Sequence, residues 1–172
     1  SEKLTYFKSE EKIITKGITE ATIESKYIIE SKDVTFLLKQ KKLSSKRKSI
    51  LKDHNSQIYY LDEFIFFTNN KVLKGKNILT ITNYNLPKSD KFYFSEGIFN
   101  LENKNFTAKD TKIKVHKSVF GDPENDPRIY GVSSSGDYNL TTINKGIFTS
   151  CQKRDGCSPW SIKSKEISHN KE

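Results

Sequence analysis

Short apolar runs rich in Ile, Phe, Tyr, Thr and Val alternate with polar or glycine-containing corners along the whole chain. The corners recur roughly every 8–12 residues, which is the spacing of all-β folds. Apolar residues do not recur at helical spacing over any long window. In Phe92-Tyr-Phe94, the first and third rings share one face of a strand and the tyrosine takes the other. The pattern predicts an all-β fold of short antiparallel strands, with no substantial helix.

Two parts of the chain echo each other. Residues 4–36 run from Leu-Thr-Tyr-Phe through a strand that ends at Gly17 and on to Val-Thr-Phe36. Residues 92–110 run from Phe-Tyr-Phe to a strand that ends at Asp110. Glycine, Asn and Asp suit such corners because they tolerate left-handed backbone conformations. Hairpin units of this kind cannot bury an apolar face alone and must stack. The echo therefore predicts a stacked body of hairpins over residues 1–119.

The segment 120–128 contains two prolines, each preceded by an aspartate. Because proline cannot donate to a strand ladder, we interpret 120–128 as a loop between the body and terminal strands over 129–172. The segment Lys39–Ser56 departs from the hairpin pattern. It is an extended loop or a hairpin in this interpretation.

The chain of 172 residues carries a formal charge of +9, mostly from lysine, and its mean hydropathy is −0.70. No apolar run approaches the length of a membrane-spanning helix. Such a charge favours a polyanionic partner, or it reflects lysines that keep strand faces solvated and strand edges unpaired. The basic residues are spread almost evenly and are dense only from Lys39 to Lys52, which favours the second explanation.

The residues that carry chemistry give little support for an enzyme. His54, His116 and His169 are far apart and form no known acid–base motif, and there is no phosphate-binding glycine loop. Cys151 and Cys157 enclose five residues, a spacing that allows a local disulfide, and a zinc site would need further ligands. The sequence thus predicts a protein that is not an enzyme, with no metal and no cofactor.

The last quarter of the chain contains Gly146-Ile-Phe-Thr-Ser-Cys151, Cys157-Ser-Pro-Trp-Ser-Ile162 and Glu166-Ile-Ser-His169. These phrases resemble the end of the periplasmic N-terminal domain of the LptD family of lipopolysaccharide-assembly outer-membrane proteins. The pattern over residues 3–115 is more loosely similar to the OstA-like repeat. The resemblance implies an open V-shaped β-jellyroll on the periplasmic side of a Gram-negative outer membrane. Residues 129–172 would then lead into a transmembrane β-barrel outside this chain.

The resemblance also implies a non-enzymatic transport function. The domain would receive lipopolysaccharide from a periplasmic bridge protein of the same fold (LptA-like) and pass it to its own barrel and a plug lipoprotein (LptE-like), with no nucleic-acid partner. The acyl chains would lie in a hydrophobic groove. The same alternation also fits an ordinary sandwich core. The groove candidates alternate along consecutive strands: Tyr60, Phe64, Phe66, Ile78, Phe92, Phe94, Phe99 and Phe106.

The first strands, with Leu4, Tyr6 and Ile14, would add edge-on to the bridge protein's sheet. In an oxidising compartment Cys151 and Cys157 are expected to form a disulfide. In some family members the cysteine at the position of Cys151 instead bonds to a cysteine of the barrel. The alternative to the whole transport interpretation is a basic β-repeat module that binds polyanions or polysaccharide.

Overall fold

The computed structural model describes residues 1–54, 56–86, 88–116, 121, 125–137, 139–151 and 160–170. These residues form one antiparallel sheet of fifteen strands and no helix, so the prediction of an all-β open jellyroll is confirmed. The strands are β1 (Lys3–Phe7), β2 (Lys12–Lys16), β3 (Ile18–Ile23), β4 (Tyr27–Lys32), β5 (Thr35–Leu37), β6 (Lys42–Ser45), β7 (Ser49–Asp53), β8 (Ile58–Leu61), β9 (Glu63–Phe67), β10 (Val72–Ile81), β11 (Lys91–Asn100), β12 (Phe106–Lys114), β13 (Arg128–Gly136), β14 (Leu140–Thr149) and β15 (Ile162–Asn170).

The sheet is bent into two faces. The first face contains β1, β2, β5, β6 and β9, which pair in that order. The second face contains β3, β4, β7 and β8. Strand β10 joins the faces, because Val72–Lys76 pairs with β9 and Leu79–Ile81 pairs with β8. Strands β11 to β15 follow β10 in sequence order and also cross from one face to the other.

The line along which the strands cross, here called the bend, is made by polar corner residues in left-handed conformations. Gly17 separates β2 from β3 with φ +78°, and Asn77 and Asp110 interrupt β10 and β12 with φ near +50°. Neighbouring corners are hydrogen-bonded: the Gly17 N–H donates to Asp33 Oδ1 at 3.2 Å, and Asn77 Nδ2 donates to Asp62 Oδ2 at 2.9 Å. These bonds satisfy polar groups where the ladder is interrupted.

Small residues at the bend let the two faces approach closely. Gly75 of β10 is paired directly with Gly97 of β11, and Gly97 with Ala108 of β12. A Cβ added to Gly131 of β13 would lie 2.1 Å from Ile143 Cγ2 and 2.9 Å from the Asn144 carbonyl oxygen. No side chain fits in that space, so glycine is required at this position by packing.

The core is a single apolar cluster between the faces. Its most buried members include Phe66, Leu73, Ile113 and Ile143, each with no exposed surface. Alternation places these side chains inside while their strand neighbours point outward. Burial of this apolar surface is the main favourable term for folding.

The sheet runs on without interruption past the predicted joint. Strand β13 pairs with β12 along nearly its whole length, so the strands over 129–172 extend the same sheet as the body over 1–119. Residues 120 and 122–124 of the predicted loop lie outside the described residues, and Arg128 at its end already belongs to β13. Between Lys39 and Ser56 the structure places β6 and β7. These strands continue one another across the bend, and each pairs with strands of its own face.

Candidate functional site

Aromatic rings from the two faces meet along an apolar layer, here called the seam. The ring of Tyr27 on the second face lies 5.9 Å from that of Phe66 on the first. Tyr59 of the second face lies 5.5 Å from Phe99 of the first, and Phe94 also lies 5.7 Å from Phe99. These centroid distances are typical of favourable aromatic pairs. The seam is therefore filled by rings that each face presents to the other.

A small cavity of about 40 Å³ opens into the seam. Its apolar wall includes Tyr59, Phe92, Phe94, Phe99 and Phe106. Since a water molecule needs roughly 10–15 Å³ of such volume, the cavity has room for a few waters and not for an acyl chain. In this conformation an acyl chain enters the seam only if the faces part.

Charged groups join the faces at the end of the seam opposite the bend, here called the mouth. Lys104, after β11 on the first face, places Nζ 2.5 Å from Oδ2 of Asp53, at the end of β7 on the second face. Lys71, after β9, likewise pairs with Glu24, after β3. His169 Nε2 on β15 lies 3.9 Å from Asp90 Oδ2, just before β11. Among the described residues, these three contacts between charged or titratable groups span the mouth.

The residues of the mouth could not be recognised from the sequence. Asp53 and Lys104 are 51 positions apart, and no local pattern marks them as partners. The side chain of Asp53 has no exposed surface and that of Lys104 is 11% exposed. The only hint is that an aspartate ends an apolar alternation at Ile50-Leu-Lys-Asp53, where a buried carboxylate needs a partner.

Most of the groove candidates lie inside the fold. Phe64, Phe66, Ile78, Phe92, Phe94 and Phe99 are buried, and Phe106 is half-buried. Their contact with lipid stays a prediction.

The structure corrects the expectation that Tyr60 lies in the interior, because 38% of its surface is exposed. Strand alternation points Tyr59 into the seam and Tyr60 out of it. The run Ile58-Tyr-Tyr-Leu61 is apolar on both faces, so the sequence did not show which tyrosine faces inward.

Burial raises the pKa of the Tyr59 phenol strongly, and the nearby Asp53 charge raises it further. The Tyr59 hydroxyl donates to Gln57 Oε1 at 2.7 Å. Burial also raises the pKa of Tyr27, again with a contribution from Asp53. A phenol whose pKa is raised by folding stabilises the fold fully below its unfolded pKa, about 10. That contribution is lost as the pH rises toward the folded pKa.

We therefore expect the free energy of unfolding to fall as the pH rises above about 10. In Tyr59→Phe this fall should be shallower, because the buried ionisable phenol is gone. Urea unfolding at a series of alkaline pH values measures the difference. Tyr60→Phe is the matched control, because it removes the neighbouring phenol, which points out of the seam. Equal slopes for Tyr59→Phe and the parent chain would contradict the expectation.

Among the described residues, the sheet has unpaired edges at both of its ends. Strand β1 pairs only with β2, and β3 pairs only with β4. Leu4 and Tyr6 are exposed on β1, by 59% and 51%. The structure corrects the expectation that Ile14 belongs to a free edge. Ile14 lies in β2, where it is paired with Thr5 on one side and with Thr35 on the other. Strand β3 takes its place as the edge of the second face. The far end of the sheet is β15, which pairs only with β14.

Cys151 is half-buried directly after β14, and its N–H donates to Thr149 Oγ1 at 3.3 Å. Cys157 lies outside the described residues. The disulfide between Cys151 and Cys157 thus stays a prediction, and so does the alternative bond between Cys151 and a cysteine of the barrel.

No protein-family model matches the chain, and no curated protein matches it either. Within the described residues there is no group of three metal-ligating side chains. The described part of the chain also lacks a helix with the length and apolar character that a membrane crossing requires. The seam, its mouth and the sheet edges are therefore the features of the described residues that bear on function.

Proposed function

We propose that the chain is a non-enzymatic transport module of the LptD type. It holds the acyl chains of lipopolysaccharide between its two faces and passes the lipid onward to an outer-membrane barrel. The observation that carries the proposal is the seam, an apolar layer between two faces of one bent sheet. The sequence phrases from Gly146 to His169 that resemble the LptD family are its second support.

The geometry favours faces that can part at the mouth. In the described residues, backbone hydrogen bonds run within a face or along the bend, so opening the mouth breaks no strand ladder. It breaks the three contacts of the mouth, of which the buried Asp53–Lys104 pair is the most costly, and it breaks the ring pairs of the seam. Each ring pair is worth about 0.5–1.5 kcal/mol beyond area burial. An acyl chain gains about 0.8 kcal/mol for each methylene it buries. A chain of roughly ten methylenes then gains about 8 kcal/mol, enough to replace several ring pairs.

A photo-crosslinking phenylalanine analogue at Phe94 tests the proposal. Phe94 is buried in the seam, whereas its neighbour Tyr93 faces outward beneath Lys112. Each variant is incubated with lipopolysaccharide and irradiated, and adducts are identified by immunoblot. The proposal expects adducts from position 94 and few from position 93. Position 99, also in the seam, serves as a second probe if the variant at 94 does not fold by circular dichroism.

If neither position 94 nor position 99 gives a lipid adduct in folded protein, the proposal is refuted. Equal adducts at 93 and 94 would refute it as well, because lipid would then bind the surface without discrimination. Repeating the irradiation in cells that carry the full-length protein asks whether the same positions meet lipid during transport.

The proposal includes a bridge protein of the same fold that adds a strand to the free edge of β1. Successive N–H groups of a strand point to opposite sides. One of the variants Thr5→Pro and Tyr6→Pro therefore removes a donor from the free edge, and the other removes a donor to β2. We expect one of the two to weaken binding to an LptA-like partner strongly while the domain stays folded. Size-exclusion co-elution measures this, and unchanged binding in both variants would contradict edge addition.

A further inference from the structure

A broad trough of about 1220 Å³ lies on the outer surface of the first face beside the bend. It opens on the side of the sheet away from the seam, because outward-facing side chains form most of its floor, and the buried Phe64 only borders it. Ile65 and Ile98 supply aliphatic surface there, and Ile98 is 46% exposed. The hydroxyl-bearing residues Thr35, Ser44 and Thr107 lie around them.

The trough carries a surplus of positive charge, with six basic and three acidic side chains in its lining. Each acid is paired within the trough: Asp33 with Arg47 at 3.3 Å, Glu63 with Lys76 at 2.5 Å, and Glu96 with Lys109 at 3.1 Å. The surplus consists of Lys42, Lys46 and Lys74. Among the described residues, none of these three has a carboxylate within the 4.0 Å that defines an ion pair.

Two of these three lysines, with Arg47, come from the dense basic segment Lys39–Lys52 that the transport function leaves unexplained. The segment crosses the bend between β6 and β7. Its position brings its charge to the rim of the trough, next to Lys74 of β10. Residues that are distant in sequence thus form one basic surface.

We propose that this trough binds an anionic glycan, a chain of sugars that carries carboxylate or phosphate groups. The unpaired ammonium groups complement the anions, the Thr and Ser hydroxyls can exchange hydrogen bonds with sugar hydroxyls, and the isoleucines pack against the C–H faces of sugar rings. Single-stranded nucleic acid is bound chiefly on exposed aromatic rings. The aliphatic floor of Ile65 and Ile98 favours the glycan instead.

Fluorescence anisotropy with a labelled oligogalacturonate tests the proposal. The variant Lys46→Glu/Lys74→Glu changes two exposed lysines of the trough. Its control, Lys163→Glu/Lys165→Glu, makes the same change of charge on exposed residues of β15, at the far end of the sheet. We expect the trough variant to weaken binding at least about tenfold, which corresponds to about 1.4 kcal/mol. The control should weaken it by a factor of about two, through long-range charge alone.

Equal losses in the two variants would overturn the proposal, because they would show attraction to net charge without a site. An uncharged dextran that binds as well as oligogalacturonate would overturn it too, as would tighter binding of a single-stranded oligonucleotide. The same titration with lipopolysaccharide-derived saccharide freed of its acyl chains asks whether the glycan portion of a lipid is bound in the same place. It should show the same loss in the trough variant. The trough lies outside the seam, so the outcome is independent of crosslinking at Phe94.

Discussion

Replacing Lys104 by methionine should lower the free energy of unfolding by about 3–5 kcal/mol, the usual cost of removing one partner of a buried ion pair. The ammonium lies 2.5 Å from a carboxylate that has no exposed surface. The change removes this cation from Asp53 while nearly preserving the volume of the side chain. Urea unfolding monitored by circular dichroism measures the loss.

The matched control is Lys109→Met. Lys109 pairs with Glu96 at 3.1 Å, but the side chains are 70% and 48% exposed, so water screens the pair and the loss should stay below about 1 kcal/mol. Adding Asp53→Asn to Lys104→Met should recover part of the stability, because the buried group is then neutral. If both lysine variants lose the same stability, the Asp53–Lys104 contact is no stronger than a surface pair.

The transport proposal gives the same variant a second expected effect. Lys104→Met removes one of the three contacts that hold the mouth closed, so lipid adducts from position 94 should form faster at a temperature where the variant is still folded. Lys39→Met removes an exposed ion pair with Glu11 that stays within the first face and lies outside the trough, so it should leave that rate unchanged. A slower rate in folded Lys104→Met would contradict the role of the mouth in lipid entry.

Phe66→Ala should lower the free energy of unfolding by about 3–5 kcal/mol, because it removes a large buried ring and leaves a cavity. Phe66 has no exposed surface and contacts Tyr27 across the seam. Phe67, the next residue, points outward and lies 5.6 Å beneath the Lys74 ammonium. Phe67→Ala should therefore cost only roughly 1 kcal/mol, of the order of an exposed cation–π contact.

Chemical denaturation of the two variants side by side checks this difference. A large loss for Phe67→Ala and a small one for Phe66→Ala would invert the assignment of inner and outer positions along β9. Because the strand has a period of two, the inversion would apply to Phe64 and Ile65 as well.

Parts of the candidate site could be predicted from sequence, since alternation on a single strand is a local property. Phe92, Phe94 and Phe99 were expected inside and are buried. Where both faces of a strand are apolar, as at Tyr59 and Tyr60, the sequence does not show which side chain faces the interior. The ion pair of Asp53 and Lys104 could not be predicted, because it forms between turns from opposite faces.

The sequence by itself determined the strands and the places where they are interrupted. Apolar alternation sets the strands, and left-handed residues such as Gly17, Asn77 and Asp110 set the interruptions. Only the tertiary structure decided what each interruption does. The left-handed residue Lys71 lies in the turn that reverses the chain between β9 and β10, whereas Gly17 and Asn77 lie at bends where the chain continues to the other face. A left-handed residue has the same local chemistry in both cases. The pairing of distant strands decides between a turn and a bend, and with it the position of the seam, the mouth and the trough.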